Sequence, residues 1–453
     1  MKALLENKKI LLALVVIVGA ILRIDLYTSS PMYTTDGSLG YVHPDASEYL
    51  YVGQYILENG LWAYLTNEIS VMLASGAPLY LTFLYTALDG NFQYMRMFGI
   101  ILSCLQILLI YKITLKLFDD FRVAVLAAFF MAVNAHIANY SYTLITETLF
   151  LLVFSISVYL YLQAREEKKS FWIYAIFSAL FLAFATLTRA NPMLLPLIFI
   201  GVFGAGFYFF KKDNFKAELH TWLAIGVVFY ILLSPFIIRN HFMFNTNNLF
   251  TGGGTALFLG SRVESQGDEP AFYGQTYGCI YEVIGEHSHR EIEADKLLYA
   301  AGIQNIKENP VEYCKMNIKK IARLTIGTNY AWFNGLEEKS IGKIQERYHN
   351  TELVIKLLCV IFLHTTVYAF AAMGIFRYRK NFSLCSMILF PMYFLIFSLP
   401  FLAILRYGVI IYIFAAIWAA VEIVAICKDK NYLRGGLGLS ASLAMFFYIC
   451  AGY

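Results

Sequence analysis

The sequence predicts an all-α polytopic membrane protein with about eleven transmembrane helices and a small, mainly helical or mixed extracytoplasmic domain. Its 453 residues are 59% hydrophobic and only 15% charged, whereas soluble proteins carry about 25% charged residues. The mean hydropathy is +0.60, and apolar runs long enough to cross a bilayer recur along most of the chain. The net charge of +4 is too small to indicate a nucleic-acid partner.

The predicted spans are the apolar runs of sufficient length. They lie at about 10–28, 95–115, 121–138, 146–163, 171–188, 192–210, 219–238, 352–375, 383–400, 406–426 and 434–450. The first run has no small-residue cleavage site after it, so we expect it to be a span rather than a cleaved signal. A shorter run, 77–88, ends at Asp89 and Gly90 and is expected to be re-entrant or interfacial.

The distribution of basic residues predicts the orientation of the chain. Six alternate connections each carry three basic residues, whereas residues 29–95 contain no Lys or Arg and six acidic residues. Cytoplasmic connections are enriched in Lys and Arg, so we expect a cytoplasmic N-terminus and an extracytoplasmic C-terminus. The predicted parts are a transmembrane module at 1–240 with a first outer loop at 29–94, an extracytoplasmic domain at 241–350, and C-terminal transmembrane helices at 351–453.

The first candidate for chemistry follows the first span, in His43-Pro44-Asp45-Ala46-Ser47-Glu48. A helix is expected to begin here and to end at Asn59-Gly60. Asp45 and Glu48 have the spacing of a capping box, in which both acids satisfy backbone N–H groups. Alternatively, Asp45 is a general base at the membrane surface. The two interpretations are compatible, because a cap would hold the carboxylate in place.

A second carboxylate, Glu147, lies at the predicted outer start of the fourth span, next to Thr146. An acid near a helix N-terminus is favourable on electrostatic grounds alone, with Thr146 as the cap. That interpretation explains the residue type. It does not explain why a second acid falls at the same predicted depth as Asp45.

Four arginines lie at predicted outer ends of spans: Arg96, Arg189, Arg239 and Arg406, the last followed by Tyr407. Each could simply extend its guanidinium into the headgroup layer. Together, opposite two carboxylates, they indicate a bound anionic headgroup, because the planar guanidinium suits phosphate.

Other polar residues leave alternatives open. His136 is either an interfacial polar residue or part of a pocket, and the His287-x-His289 pair is either an exposed helix face or a metal site. The residues specify no cofactor, and a divalent cation is left open. Cys279 and Cys314 could form a disulfide, which spacing alone cannot decide.

Several stretches, in this order, resemble one family: His43-Pro44-Asp45 with Tyr49, Gly76-Ala77-Pro78-Leu79-Tyr80, Tyr94-Met95-Arg96, Thr146-Glu147-Thr148, Thr188-Arg189-Ala190-Asn191-Pro192, Pro235-Phe236 through Arg239-Asn240, Glu308-Asn309-Pro310 and Leu405-Arg406-Tyr407. The set resembles the polyprenyl-phosphate-dependent glycosyltransferases of the GT-C superfamily, in particular the protein mannosyltransferase and aminoarabinose-transferase-like group. Two positions depart from that group: Ala46 follows Asp45 where many relatives have Glu, and Phe236 replaces a Trp.

The resemblance implies an integral membrane glycosyltransferase with an inverting mechanism. Asp45 would deprotonate a hydroxyl acceptor, Glu147 would position the acceptor or the donor or assist a cation, and Glu48 is a further candidate catalytic residue. The donor phosphate would lie against Arg406, Arg239, Arg189, Arg96 and Tyr407, and the acceptor near His43, Tyr49 and His136. The implied partners are a polyprenyl-phosphate-linked sugar, the bilayer and an acceptor lipid, glycan or protein. The absence of a large lectin-like insert favours a prokaryotic plasma membrane with the active site outside.

Two other functions compete with this interpretation. A transporter or flippase of lipid-linked sugars would show inverted repeats and ionisable groups near the bilayer midplane, whereas the charges here cluster at helix ends. A membrane scaffold would account for the outer domain. It would not account for acids and arginines at the same predicted depth.

Overall fold

The computed structural model describes residues 8–72, 74–270, 275–289, 291–326 and 351–450, and within these ranges it contains helices and no β-strand. The α-helices are α1 (Lys8–Thr28), α2 (Pro44–Leu65), α3 (Ile69–Met72), α4 (Gly76–Ala87), α5 (Phe92–Phe118), α6 (Phe121–Val133), α7 (Ala135–Tyr140), α8 (Thr146–Glu166), α9 (Phe171–Thr188), α10 (Leu195–Phe210), α11 (Asp213–Phe244), α12 (Gly253–Ser261), α13 (Gly278–Ile284), α14 (Ile292–Glu308), α15 (Pro310–Thr325), α16 (Thr351–Tyr378), α17 (Phe382–Cys385), α18 (Leu389–Ser398), α19 (Leu405–Asp429) and α20 (Tyr432–Cys450).

Eight helices in the described ranges are long and apolar enough to cross a membrane: α1, α5, α8, α9, α10, α11, α16 and α19. The all-helical polytopic fold is therefore confirmed, but two predicted spans are shorter than expected. The run at 121–138 breaks at Asn134, whose side chain accepts from the backbone N–H of Ile137 and starts α7. The run at 383–400 is divided between α17, a 3₁₀ turn and α18. The run at 434–450 forms α20.

A buried arginine in α1 joins three helices. Arg23 is fully buried, and its guanidinium donates to Ser103 Oγ in α5 and to the carbonyl oxygens of Gly19, Ala132 and Met131. The two last carbonyls belong to the final turn of α6, where no helical N–H is available to them. A charge within a span is costly unless paired, and here carbonyl dipoles supply the pairing.

The first loop forms α2, α3 and α4. At Gly60, whose φ of 86° is outside the helical region, the regular helix ends as predicted; α2 bends there, and a second helical piece continues to Leu65. Beyond the bend, Leu61 and Trp62 are 51% and 78% exposed. α4 corresponds to the short run at 77–88, and Gly76 at its start packs directly against the backbone of Leu187 near the end of α9.

The segment from residue 245 to 326 contains α12 to α15. Asp295 in α14 accepts from the backbone N–H groups of Gly252 and Gly254, both at 2.8 Å, and so fixes the glycine turn at the start of α12. α14 ends at Glu308 and α15 begins at Pro310, as the Asn-Pro signal predicts. The segment has its own apolar cluster, which includes Leu402 from the loop before α19.

The cysteines left open by the sequence are not joined. Cys279 and Cys314 are both free thiols in the structure. The stability of the 245–326 segment therefore comes from packing and hydrogen bonding within the described residues rather than from a disulfide between these two positions.

Candidate active site

Asp45 lies in the first turn of α2, but it does not cap that helix. The N-cap is His43, whose Nδ1 accepts from the backbone N–H of Asp45 at 3.1 Å. The predicted capping box of Asp45 and Glu48 is therefore wrong. Because an imidazole satisfies the orphan N–H, the Asp45 carboxylate is left to turn outward, where its side chain is 37% exposed.

Arg406 links this carboxylate to a second one. Its Nη2 lies 2.6 Å from Asp45 Oδ2, and its Nε lies 3.0 Å from Glu147 Oε1, at an angle outside hydrogen-bond geometry. Arg406 stands in the first turn of α19 and Glu147 in the first turn of α8. One guanidinium thus joins three elements that are far apart in the sequence.

Glu147 is fully buried and also pairs with Arg189, which follows the last residue of α9. The predicted cap at Thr146 is wrong: the N-cap is Ile145, with no side-chain hydrogen bond, and Thr146 Oγ1 instead donates to Glu147 Oε2 at 3.3 Å. A buried carboxylate needs such partners. Its burial therefore depends on the two arginines, Arg189 and Arg406.

The ring of Tyr407 lies beside both guanidinium groups. Its centroid is 5.0 Å from Cζ of Arg189 and 5.5 Å from Cζ of Arg406. Cations favour the face of an aromatic ring within about 6 Å. The structure therefore brings together the predicted residues Asp45, Glu147, Arg189, Arg406 and Tyr407, which we call the site cluster.

The electrostatics of the site cluster favour an ionised Asp45. Burial alone would raise the pKa of Asp45, but the guanidinium groups of Arg406 and Arg189 outweigh it and hold the pKa below its ordinary value. Burial and the nearby Arg406 lower the pKa of His43, so its imidazole is neutral at pH 7. A neutral ring agrees with Nδ1 acting as the acceptor in the cap.

Tyrosines surround the site cluster. The predicted pocket residue Tyr49 lies near enough to Asp45 and Arg406 that, after burial, Asp45 is the chief cause of the raised pKa of its hydroxyl. Tyr140, which precedes Glu147 in the same outer turn as His136, lies within reach of the charges of Glu147 and Arg406. Glu48 lies less than one turn after Asp45, half-buried, outside the ion pairs described above.

Arg96 does not belong to the site cluster. It is 1% exposed, and its guanidinium donates to the carbonyl oxygens of Tyr142, Leu39 and Tyr41 at 2.8 to 3.1 Å. These bonds tie the first loop to the turn before α8. The contact of Arg96 with a donor phosphate stays a prediction: its Nη1 and Nη2 donate to backbone carbonyls, and its buried Nε has no hydrogen-bond partner in the described part of the chain.

Arg239 and His136 also have other neighbours. Arg239 donates through Nε to Asn240 Oδ1 at 2.9 Å and lies over the rings of Phe236 and Phe244, while its buried Nη1 has no hydrogen-bond partner among the described residues. The ring of His136 is 5.6 Å from that of His364 in α16. The structure therefore does not join either residue to the site cluster.

Two residues of the 245–326 segment were missed by the sequence analysis. Glu269 lies near enough to Asp45 and Arg406 for their charges to affect it, and its carboxylate accepts from the hydroxyl of Tyr277. Burial, with Asp268 and Asp45, raises the pKa of Glu269. No spacing marks these residues, since they meet the site cluster only through tertiary folding.

Metal ligands do not gather in the part of the chain that the structure describes, where no group of three or more His, Cys, Asp or Glu side chains could hold a metal ion. Of the predicted His pair, His287 hydrogen-bonds Glu291 through Nδ1 at 2.7 Å in the exposed turn between α13 and α14. The site cluster instead offers an accessible carboxylate beside two permanent cations. Such a set can accept a proton and stabilise a developing phosphate charge.

Known proteins resemble the chain in family and in fold. Residues 76–238, somewhat over a third of the chain, match the family model described as dolichyl-phosphate-mannose-protein mannosyltransferase. No curated protein sequence matches the chain significantly.

Two solved structures of an oligosaccharyltransferase from Archaeoglobus fulgidus share the fold. One, the archaeal oligosaccharyltransferase AglB in complex with an inhibitory peptide and a dolichol-phosphate, matches with a TM-score of 0.55 and 13% identity over 98% of this chain and 56% of that one. The other, an apo crystal structure, matches with a TM-score of 0.53 and 12% identity over 97% and 55%. The chain thus spans little more than half of their length. Over residues 76–238 the chain is therefore similar to this mannosyltransferase family, and it shares the polytopic helical fold of the two structures.

Proposed function

We propose that the chain transfers a sugar from a polyprenyl-phosphate donor to a hydroxyl acceptor, with Asp45 as the general base. The ion pair between Asp45 and Arg406, with Nη2 2.6 Å from Oδ2, is the observation that carries this proposal. It places a proton acceptor beside a phosphate-binding cation. Attack by the activated hydroxyl on the face opposite the leaving phosphate inverts the anomeric carbon.

The arginines account for departure of the phosphate. Arg406 and Arg189 are held by the buried Glu147 and flanked by Tyr407, so they are fixed before the donor binds. Preorganised cations placed where charge develops are commonly the largest catalytic contribution. Glu147 is the counter-ion that positions them and does not itself react.

The ion pair also regulates the strength of the base. In the free protein Arg406 keeps the pKa of Asp45 low, which makes the carboxylate a weak proton acceptor. A bound phosphate monoanion or dianion competes with Asp45 for the same guanidinium. Donor binding therefore raises the pKa of Asp45 and strengthens it as a base at the moment when the acceptor needs deprotonation.

The basic residues at the opposite end of the helices indicate which side of the membrane the site cluster faces. Arg165 at the end of α8 pairs with Glu218, and Lys116 at the end of α5 pairs with Glu166. This end carries the connections rich in basic residues, which favours a cytoplasmic location. The site cluster at the other helix ends then faces the extracytoplasmic side.

The acceptor meets the donor between α2 and the 245–326 segment. Glu269 and Tyr277 approach the site cluster from that segment, so they are placed to bind an acceptor hydroxyl. The dolichol-phosphate in the structure of the archaeal oligosaccharyltransferase supports a lipid phosphate as the donor class.

The test is transfer by the purified chain in proteoliposomes with radiolabelled polyprenyl-phosphate sugars. We expect Asp45→Asn to lower the transfer rate about a hundredfold or more, in the range for a general base. The matched control is Glu58→Gln, an exposed acid of α2 that accepts from Gln54, and it should leave the rate unchanged. Equal transfer by wild type and Asp45→Asn would overturn the proposal. Lipid flipping without transfer would assign a transporter instead.

A further inference from the structure

The loop between α18 and α19, residues 399–404, docks onto the 245–326 segment through its backbone. The N–H of Leu402 donates to the carbonyl oxygen of Ala256 at 2.8 Å, and the N–H of Ala403 donates to that of Gly267 at 3.0 Å. Arg406 follows this loop directly, in the first turn of α19. The position of the loop therefore determines the position of the backbone from which the Arg406 side chain extends.

A buried lysine holds the same loop from the other side. Lys320 in α15 is fully buried, and its Nζ donates to the carbonyl oxygens of Gly260 at 2.5 Å, Leu399 at 2.9 Å and Phe401 at 3.0 Å. Three acceptors match the three N–H groups of an ammonium. One side chain thus joins α12, α15 and the loop, and we call this arrangement the lysine clamp.

Close backbone packing surrounds the lysine clamp. A Cβ on Gly260 would lie 2.2 Å from the carbonyl carbon of Phe401, and a Cβ on Gly408 would lie 1.6 Å from the carbonyl oxygen of Leu324. Only glycine allows these approaches. The 245–326 segment is therefore in direct backbone contact with the 399–404 loop and the start of α19, so a displacement of the segment would also displace the start of α19.

The charges that face Lys320 come from its own helix and from the turn after α12. Arg323 Nε lies 3.5 Å from Asp268 Oδ2, and the ring of Tyr313 has its centroid 5.4 Å from the Lys320 Nζ. Burial and Arg323 lower the pKa of Lys320 to about 7, while Asp268 opposes them. The clamp therefore has all three N–H donors only when the amine is protonated.

We propose that Lys320 is a positioning residue that holds the 399–404 loop and thereby sets Arg406 against Asp45 and Glu147. The kinetic part of this inference rests on the proposed function. A displacement of about 1 Å can cost about a hundredfold in rate, and Arg406 has to meet carboxylates on two other elements at once. A lysine far from the reacting atoms would then control the catalytic rate.

The first test does not depend on activity. Hydrogen exchange at the amides of Leu402 and Ala403 is compared in wild type, Lys320→Met, Lys320→Arg and the control Lys315→Met, an exposed residue of α15 that pairs with Glu312. We expect protection to fall in Lys320→Met, to be largely kept in Lys320→Arg, and to be unchanged in Lys315→Met. Relative to Lys320→Arg, protection in wild type should decline as the pH rises through about 7. Full protection in Lys320→Met would overturn the clamp.

The second test reads the position of Arg406. We expect Lys320→Met to lower kcat roughly tenfold to a hundredfold with little change in the acceptor KM, and to weaken binding of polyprenyl phosphate. Lys320→Arg should restore most of both. Unchanged kcat and phosphate binding, despite lost protection, would overturn the positioning role. If wild type binds polyprenyl phosphate but transfers nothing, the proposed function fails, while the binding comparison still decides the role of Lys320.

Discussion

The molecule contains two buried glutamates that each hold two arginines, at opposite ends of its helices. Glu147 pairs with Arg189 and Arg406, and Glu422 near the end of α19 pairs with Arg377 and Arg434. Both carboxylates are fully buried. Judged by ion pairs and burial alone, the two regions are equivalent.

They differ in what the arginines do with their remaining N–H groups. At Glu422, Arg377 also binds Asp429 at 2.8 Å, and Arg434 donates to the carbonyl oxygen of Met373 at 3.1 Å. At Glu147, Arg406 reaches Asp45 on a separate helix. Exposure does not separate the two regions, because the side chain of Asp429 is 53% exposed and that of Asp45 is 37% exposed. The difference is that Asp429 belongs to the same helix as Glu422, whereas Asp45 and Glu147 come from different helices and meet at one guanidinium.

The sharpest way to break this comparison is to remove one arginine from each region. We expect Arg406→Met to lower the transfer rate about a hundredfold or more, since it removes a preorganised phosphate ligand. Arg377→Met should leave the rate per folded molecule unchanged and lower thermal stability. Transfer assays and thermal unfolding in the same detergent measure both effects. A similar loss of transfer in the two variants would show that the distinction is wrong.

Replacing each buried glutamate by glutamine should give a smaller effect, and the loss of stability should be similar in the two regions. Glu147→Gln and Glu422→Gln each leave two guanidinium groups near one neutral amide, and breaking a buried pair costs about 3 kcal/mol. We expect comparable losses in the free energy of unfolding, but loss of transfer only in Glu147→Gln. Unfolding titrations combined with single-turnover transfer separate the two. Intact transfer in Glu147→Gln would contradict the role of Glu147 as the counter-ion.

The residue missed by the sequence analysis gives a prediction about the acceptor. Glu269→Gln removes a charged hydrogen-bond acceptor, and loss of one such bond corresponds to about a tenfold increase in acceptor KM. Donor binding should change little, because Arg189 and Arg406 remain. Steady-state kinetics with either substrate varied provide the measurement. An increase confined to the donor KM would place Glu269 in the donor site instead.

The smallest expected effect is on the helix cap. His43 has a lowered pKa in the folded protein, so below the unfolded value of about 6.5 the unfolded chain binds more protons. Stability from this residue should therefore fall as the pH drops below about 6.5 and through the folded pKa. His43→Asn keeps a cap that does not titrate. The unfolding temperature should depend less on pH in this variant than in wild type. An identical pH profile would show that His43 does not cause the loss of stability at low pH.

Hydropathy was sufficient to predict the fold because a membrane span is a local property of about twenty residues. It overestimated two spans, at Asn134 and around α17, where side-chain caps and short turns divide apolar runs. The sequence allowed us to predict that Asp45 and Arg406 meet, because both residues lie at predicted outer ends of helices. The separation of Arg96 from the site cluster was not predictable, because its partners are backbone carbonyls, which leave no mark in a sequence. Glu269 was missed because it meets the site only through tertiary folding.

The bend in α2 has a consequence for how the protein meets the membrane. Gly60 turns Leu61 and Trp62 away from the protein, and tryptophan settles among lipid headgroups. One end of α2 then lies in the headgroup layer of the bilayer, while the other end carries Asp45. Under the proposed function, the height of the Asp45 carboxylate above the hydrocarbon then depends partly on lipid thickness, so membrane composition is a variable of the proposed reaction.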